Sequence, residues 1–185
     1  MDVIIGKIIL IKLCENFLDQ YQFKNFKDTI LHSGAGKSFP WFTTEIILEE
    51  NFDKYNFLAD LKYNFQLTHL FYIKGVPCSE FFHLLQPFTE KLNMDALISA
   101  KINLNPCTDT IVEHSYHVDN TIKNCTTAVF YFNTNNGYTT FETGDKFFSK
   151  ENTLVKFPTH IKHSGSTCTD EKYRLVMNIN YIAGN

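Results

Sequence analysis

The sequence has little arginine and no excess of positive charge. Arg174 is the single arginine among 17 basic residues, and the formal net charge at pH 7 is −3. Proteins that bind nucleic acid usually carry a basic face, so this balance argues against nucleic acid as a partner. Because lysine supplies nearly all of the positive charge, the lone arginine suggests a position that needs the planar fork of a guanidinium.

Paired cysteines and long apolar runs are also missing. The five cysteines are odd in number and include no CxxC pair, which argues against a disulfide framework or a cysteine zinc site. This cysteine usage predicts a reducing, cytoplasmic environment. No apolar run reaches the roughly 18 residues that a membrane span needs. The apolar stretch 3–14 lacks the basic start and the cleavage site of a signal peptide, and it predicts a buried strand.

The length and apolar content of the chain fit one domain with a packed core. The 185 residues are 44% hydrophobic and 15% aromatic. The residue pattern changes near position 95. We therefore predict a support region of helices and extended segments over residues 1–95 and a β-rich core over residues 96–185.

Two helices are predicted in the support region. Asp19 is a suitable N-cap for a helix with apolar side chains at 23, 26, 30 and 31, which fall on one helical face. Ser79 is a suitable N-cap for a second helix, which Pro87 is expected to kink or split.

Short β-rich segments follow one another closely in the second half of the chain. Such strands, separated by Asn- and Gly-rich turns, are typical of a sandwich or jelly roll. The predicted fold is a β-rich α+β fold, in which a double-stranded β-helix (jelly-roll) barrel is braced by the N-terminal helices. The predicted strands are 41–48, 67–73, 98–104, 110–118, 126–133, 138–142, 145–149, 153–157 and 171–182.

A His-x-Asp motif at His117 and Asp119 is a candidate metal site. Residues at i and i+2 of a strand point to the same face, so an imidazole and a carboxylate can share one ion. The motif alone is weak, because such pairs also arise by chance. A barrel that holds iron by two histidines and one carboxylate needs a second histidine from a distant strand, and His160 or His163 offers one.

Arg174 lies in a predicted strand, eleven residues beyond His163. An arginine that faces the interior of a barrel is costly unless it meets an anion. A dicarboxylate co-substrate would supply that anion with matching two-pronged geometry. The alternative is an ion pair with a neighbouring acidic residue, Asp170 or Glu171.

Together these features resemble the iron(II)/2-oxoglutarate-dependent dioxygenases, and within them the prolyl 4-hydroxylase-like branch. The resemblance rests on His-Val-Asp at 117–119, on Phe-Pro at 157–158 followed by His163, and on Arg174 in the closing strand. It covers residues 98–182, whereas the N-terminal half is similar only in providing support. Further segments that look like this branch are 115–120, 127–133 and 137–139.

The resemblance implies a set of site residues. His117, Asp119 and His163 would be the iron ligands. Arg174 would bind the distal carboxylate of 2-oxoglutarate, with the hydroxyl of Tyr131 beside it. Asn103 would stand where many members carry a second tyrosine for the co-substrate.

Three neighbouring residues compete for these roles. The spacing from Phe157 and the gap to Arg174 favour His163 over His160 as the distal ligand. Lys172 would replace Arg174 if the gap were nine residues. His114 lies an odd number of residues from His117, so we expect it to be structural or solvent-facing and not a ligand.

The function implied is a hydroxylase that uses Fe(II), 2-oxoglutarate and O2, and that forms succinate from 2-oxoglutarate. Its substrate would be a peptidyl proline, another peptide or protein, or a small molecule. Loops 49–64 and 74–80 are candidates to flank the mouth. Candidate aromatic residues to line the site are Phe130, Phe132 and Tyr138. Nucleic-acid dealkylation is disfavoured, because the dealkylases resembling this barrel carry a second arginine in the closing strand.

Two other interpretations stay open at this point. One is a cupin-like barrel that binds a metal without 2-oxoglutarate. The other is a non-catalytic jelly-roll module in which the His-x-Asp pair is a coincidence. The sequence carries no signal for an oligomeric state.

Overall fold

The computed structural model describes residues 11–31, 38–44 and 65–184. The loop predicted over 49–64 lies outside the described residues, as do most of the strand predicted within 3–14 and the end of the strand predicted at 41–48. None of the helices in the described part of the chain has the length and apolar character needed to cross a membrane.

Both predicted helices are present, with the predicted N-caps. Helix α1 (Gln20–Leu31) follows Asp19, whose Oδ1 accepts from the backbone N–H of Gln22 at 2.8 Å. Ser79 caps a short 3-10 helix (Glu80–Leu85) by accepting from the N–H of Phe81 at 3.0 Å. Helix α2 (Gln86–Lys91) continues directly from it, with a proline in its first turn. The split expected at Pro87 is therefore a change from 3-10 to α-helical geometry.

Strands in the described residues form two antiparallel sheets. The strands are β1 (Lys12–Glu15), β2 (Phe42–Thr44), β3 (Gln66–Ile73), β4 (Val76–Pro77), β5 (Met94–Pro106), β6 (Cys125–Tyr131), β7 (Tyr138–Phe141), β8 (Lys146–Phe148), β9 (Thr153–Pro158), β10 (His163–Gly165) and β11 (Tyr173–Ala183). The larger sheet has the order β1-β9-β6-β11-β5-β3-β2, with β4 paired to β3, and the smaller sheet has the order β10-β7-β8.

The chain alternates between the two sheets as a jelly roll does. From β5 it crosses to residues 113–117, which bridge to β10 and to Ser166 just after it, then returns to β6 in the larger sheet. It next forms β7 and β8 in the smaller sheet, β9 in the larger, β10 in the smaller and β11 in the larger. The predicted strand-rich architecture is therefore present.

One local prediction was wrong, one strand was missed, and one loop has more structure than expected. The segment 110–118 is not a strand, since it makes only two isolated bridges, Glu113 to Ser166 and His117 to His163. Strand β10 was not predicted, because three residues are too short for a recognisable pattern. The segment 74–80 includes a hairpin and not only a loop: Lys74 and Gly75 turn with positive φ into β4.

The two faces of the larger sheet have different surroundings. On the outer face, Phe26 of α1 lies 5.0 Å from Phe132 between ring centroids, and Phe88 of α2 lies 5.0 Å from Phe130. The prediction that Phe130 and Phe132 line the site is therefore wrong, because both rings pack against the helices on the outer face. Alternation puts Tyr131 on the opposite face, where it packs between the sheets in an apolar cluster. The other members of this cluster are Val129, Phe141, Val155, Phe157 and Val176.

Candidate metal centre and anion pocket

Backbone pairing at the edge of the smaller sheet brings together His117, whose side chain is 47% exposed, and the buried His163. The N–H of His117 donates to the carbonyl of His163 at 2.9 Å, and the reverse bond is 3.0 Å long. Asp119, two residues further on, places Oδ1 3.5 Å from Nε2 of His117 and 3.6 Å from Nε2 of His163. The ligand atoms of the three residues all lie within 4.8 Å of one another.

Each imidazole is oriented by a backbone carbonyl. Nδ1 of His117 donates to the carbonyl of Ser115 at 3.1 Å, and Nδ1 of His163 donates to that of Ile161 at 3.2 Å. Because a carbonyl only accepts, the proton is on Nδ1 and the lone pair is on Nε2 in the neutral ring. Both lone pairs therefore face Asp119, which is the arrangement of metal-binding histidines.

His163 is the residue that most needs a further partner. It is 2% exposed, and its Nε2 is buried with no hydrogen-bond partner among the described residues. A buried polar atom without a partner costs free energy, so the site fits a bound cation better than an empty space. Two imidazoles and one carboxylate are the donor set that iron(II) oxygenases use.

The pKa values of the three residues reflect burial and mutual contact. A hydrogen bond to Asp119, which Nε2 of His117 can donate only when the imidazole is protonated, raises the pKa of His117, whereas burial lowers the pKa of His163. Burial alone would raise the pKa of Asp119. The hydrogen bond with His117 and the charge of His163 outweigh that effect and hold it below its usual value. Asp119 is thus a carboxylate at neutral pH, ready to bind a cation.

Arg174 lies on β11, buried between the sheets and surrounded by neutral groups. Its Nε donates to Ser149 Oγ at 2.8 Å, its Nη2 to Thr139 Oγ1 at 3.1 Å and its Nη1 to the carbonyl of Ser166 at 3.4 Å. No carboxylate of the described residues lies within ion-pair distance of it. Asp170, which had been an alternative partner, instead accepts from the backbone N–H of Asn136 at 2.9 Å.

A glycine provides the space that the Arg174 side chain occupies. A Cβ on Gly137 would lie 2.5 Å from Arg174 Cδ and 2.6 Å from the carbonyl oxygen of Thr167. Any larger residue at 137 would collide with the arginine. The Gly-Tyr-Thr segment noted in the sequence therefore supplies both this space and, through Thr139, a hydrogen bond to the guanidinium.

Tyr131 and Asn103, the other two predicted co-substrate residues, lie on the same face as Arg174. The guanidinium carbon is 5.5 Å from the centroid of the Tyr131 ring, and burial raises the pKa of the phenol. Asn103 pairs with Val176 in the β5–β11 ladder, and its Oδ1 is buried without a partner in the described part of the chain. Asn105, which sequence reasoning missed, pairs directly with Arg174 and also has a buried, unpartnered Oδ1.

The residues that competed with the predicted site residues are not part of the candidate metal site. His160 and Lys172 are exposed, and neither belongs to the group of ligand atoms. His114 is outside that group too. Burial, together with the nearby charge of Arg174, lowers its pKa to about 3, so it is neutral beside the arginine.

Three solved structures are similar to this chain over most of its length. An oxidoreductase of the 2OG-Fe(II) oxygenase family from Burkholderia pseudomallei has a TM-score of 0.62 at 10% identity, covering 95% of this chain and 86% of that one. A prolyl-4-hydroxylase from Pseudomonas putida has a TM-score of 0.52 at 11% identity, with 96% and 95% covered. A prolyl hydroxylase from Trichoplax adhaerens, in complex with a hypoxia inducible factor peptide fragment, has a TM-score of 0.54 at 12% identity, with 93% and 83% covered. This chain has the 2OG-Fe(II) oxygenase fold.

The resemblance drawn from the motifs is thus confirmed for the oxygenase fold. No family model and no curated protein matches the sequence. At identities this low the fold is shared while individual residue roles must be argued from this chain's own geometry. His117, Asp119 and His163 are brought together in that geometry, and Arg174 lies buried on the same strand, β11, that carries Asn180 behind Asp119.

Proposed function

We propose that this protein is an Fe(II)- and 2-oxoglutarate-dependent hydroxylase. The observation that supports it most is the cluster of His117, Asp119 and His163, with a buried Nε2 that lacks a partner, inside an oxygenase fold. The nearby guanidinium of Arg174, buried without a carboxylate partner among the described residues, supports a carboxylate co-substrate. We propose that residues 1–185 form a single dioxygenase domain, with a support region (1–95) and a catalytic core (96–185).

Each residue has a distinct part in the proposed reaction. His117, Asp119 and His163 would hold Fe(II), and Arg174, Tyr131 and Asn103 would bind 2-oxoglutarate. Bound Fe(II) with O2 would supply the oxidative chemistry that converts 2-oxoglutarate to succinate and CO2 and hydroxylates the substrate.

The protein's own contribution is placement and exclusion of water. Arg174 is fixed by Ser149 and Thr139, so its remaining N–H groups are already oriented for a carboxylate. The cluster of Val129, Phe141, Val155, Phe157 and Val176 keeps the space between the sheets apolar. Electrostatic interactions are stronger in such a dry environment than in water.

A peptide, with peptidyl proline as the first candidate, is the substrate class that we propose to test first. Tyr116 and Val118, which flank the ligand His117, are both 37% exposed, so apolar side chains border the metal site. The Trichoplax neighbour holds a peptide fragment. A small-molecule substrate is the alternative outcome, whereas the net charge of −3 does not suit nucleic acid.

Thermal unfolding with Mn(II), with and without 2-oxoglutarate, tests this proposal without knowledge of the substrate. Ligand at 100 times its dissociation constant stabilises a protein by about 2.7 kcal/mol, which for this size raises the midpoint by roughly 5–10 °C. We expect a shift with Mn(II) and a further shift with 2-oxoglutarate. Asp119→Ala should abolish both, and succinate release in the presence of Fe(II) and candidate peptides should depend on Asp119.

The substitution Arg174→Lys distinguishes binding of 2-oxoglutarate from binding of the metal. Lysine retains the charge but cannot form the two parallel hydrogen bonds of a guanidinium, so we expect the 2-oxoglutarate shift to fall while the Mn(II) shift remains. A metal shift that never responds to 2-oxoglutarate would instead support a cupin-like metal barrel. No shift with either ligand would leave a non-catalytic jelly-roll module.

A further inference from the structure

A buried hydrogen-bond network surrounds Asn180 on β11, directly behind Asp119. Asn180 is 5% exposed, and its Nδ2 donates to Asp119 Oδ2 at 3.0 Å and to Ser99 Oγ at 3.1 Å. On the other side, its Oδ1 accepts from Thr127 Oγ1 at 2.6 Å and from Thr159 Oγ1 at 3.3 Å. Every polar atom of the Asn180 side chain is therefore used.

The network fixes which way the amide points. A carboxylate can only accept, so the atom of Asn180 that faces Asp119 must be the nitrogen. The threonine hydroxyls are compatible with this orientation, because each can donate to the oxygen at the opposite end. Thr127 and Thr159 are both buried, and their Oγ1 atoms lie 2.9 Å apart. The donor to Asp119 is thus preorganised by Thr127 of β6, Ser99 of β5 and Thr159, which directly follows β9.

We propose that Asn180 is a positioning residue that makes Asp119 a one-oxygen metal ligand. This inference rests on the proposed metal site. Because Asn180 holds Oδ2, only Oδ1 is directed at Nε2 of His117 and of His163. A carboxylate bound through one oxygen leaves more of the metal's coordination positions open for other ligands, and hydrogen bonds to ligating carboxylates strengthen metal sites.

A purely structural role for Asn180 makes different predictions. Asn180 also connects β11 to β5 and β6, so its loss would lower stability even if it had no effect on Asp119. Metal affinity and the ligand field of the bound ion respond to the position of Asp119, whereas a general loss of stability does not change them in the folded protein. These quantities therefore separate the two roles.

The experiment compares Asn180→Ala with a matched control elsewhere in the fold. Asn152 is also a buried asparagine with two side-chain hydrogen bonds, since its Oδ1 accepts from the N–H of Leu18 at 2.9 Å and its Nδ2 donates to the Leu18 carbonyl at 2.8 Å. Its φ is 55°, so Asn152→Gly removes the amide without straining the backbone. Mn(II) affinity by titration and the visible absorption of bound Co(II) are measured for both variants and the wild type.

We expect Asn180→Ala to bind Mn(II) about 10- to 100-fold more weakly and to change the Co(II) spectrum, as for other groups that support metal ligands. Asn152→Gly should match the wild type in both measurements. If Asn180→Ala does not fold, Asn180→Ser is the second variant, because its hydroxyl is too short to reach Asp119. Wild-type affinity and spectrum in the folded variant would overturn the positioning role. Absence of metal binding by the wild type would instead overturn the proposed function.

Discussion

The two faces of the larger sheet are both largely buried but differ in chemistry. The outer face is apolar throughout its centre, where Phe130 packs edge-on against Phe88 of α2 at 5.0 Å. On the inner face, buried polar residues lie beside the apolar cluster. Arg174, Asn103, Asn105 and Asn180 are each no more than 8% exposed.

This difference separates stability from function along the same strands. Apolar groups lower the free energy of the folded state simply by burial, and they need no specific partner. Buried polar groups lose hydration and must recover it through hydrogen bonds or bound ligands. The inner face includes several polar atoms without partners among the described residues, among them Oδ1 of Asn103 and of Asn105. We infer that the outer face supports the fold and that the inner face is arranged for ligands.

The largest expected loss of stability comes from the outer layer. Phe26→Ala removes a ring that packs against Phe71, Phe88 and Phe132, with centroids 5.0–6.0 Å away. We expect the free energy of unfolding to fall by about 3–5 kcal/mol. Chemical denaturation checks this, with Tyr21→Ala as the control because Tyr21 lies on the same helix and is 82% exposed. An effect of Phe26→Ala no larger than that of Tyr21→Ala would contradict the predicted bracing of the barrel by α1.

A smaller loss is expected where the inner face is most closely packed. Gly137→Ala would place a Cβ 2.5 Å from Arg174 Cδ, so the arginine must move. We expect overpacking to cost about 1–3 kcal/mol, and the 2-oxoglutarate shift to fall while the Mn(II) shift remains. Gly165→Ala is the graded comparison, because its Cβ would meet Arg174 Nη1 at 3.4 Å and should perturb the pocket less. Equal 2-oxoglutarate binding by Gly137→Ala and the wild type would show that the position of Arg174 is unimportant.

The N-cap of α1 should have a still smaller effect, confined to the outer layer. Asp19→Ala removes the acceptor for the N–H of Gln22. Loss of such a cap typically costs about 1 kcal/mol. Denaturation midpoints should fall accordingly, while Mn(II) and 2-oxoglutarate binding remain at wild-type levels. Asp19→Asn is the control, since asparagine is an equally good cap; a decrease as large as that of Asp19→Ala would argue against capping.

Local chemistry explains which features could be predicted from the sequence. The His-x-Asp motif identified two residues that the structure brings together, although outside a regular strand, and the single arginine marks a position where a guanidinium is needed. The alternation that directs Tyr131 inward directs Phe130 outward, so the position of Phe130 on the outer face also follows from the sequence pattern. The N-caps Asp19 and Ser79 were predictable because capping depends only on neighbouring residues.

Features that depend on strand register were beyond the reach of the sequence. Asn105 lies beside Arg174 because of the register in which β5 and β11 pair, and Asn180 contacts Asp119, a residue 61 positions away in the sequence. Neither asparagine belongs to a recognisable motif. The segment 110–118 has a β-like composition, yet it makes only isolated bridges. Asn178 and Asn180 both lie at even spacing from Arg174, and the sequence alone does not distinguish them.

The sharpest test of the two-face comparison is a change with almost no effect on stability. Arg174→Met removes a buried cation whose bonded partners, Ser149, Thr139 and the Ser166 carbonyl, are all neutral. Burial already lowers the pKa of this guanidinium, which reflects the cost of desolvating it. Methionine leaves these acceptors without the arginine donor, but removing the cost of the buried cation offsets that penalty, so the ligand-free free energy of unfolding should stay within about 1 kcal/mol of wild type. Binding of 2-oxoglutarate, measured by thermal shift in the presence of Mn(II), should nevertheless disappear. A loss of about 3 kcal/mol or more in the ligand-free protein would mean that Arg174 holds the fold together, and the separation of stability from function between the two faces would not stand.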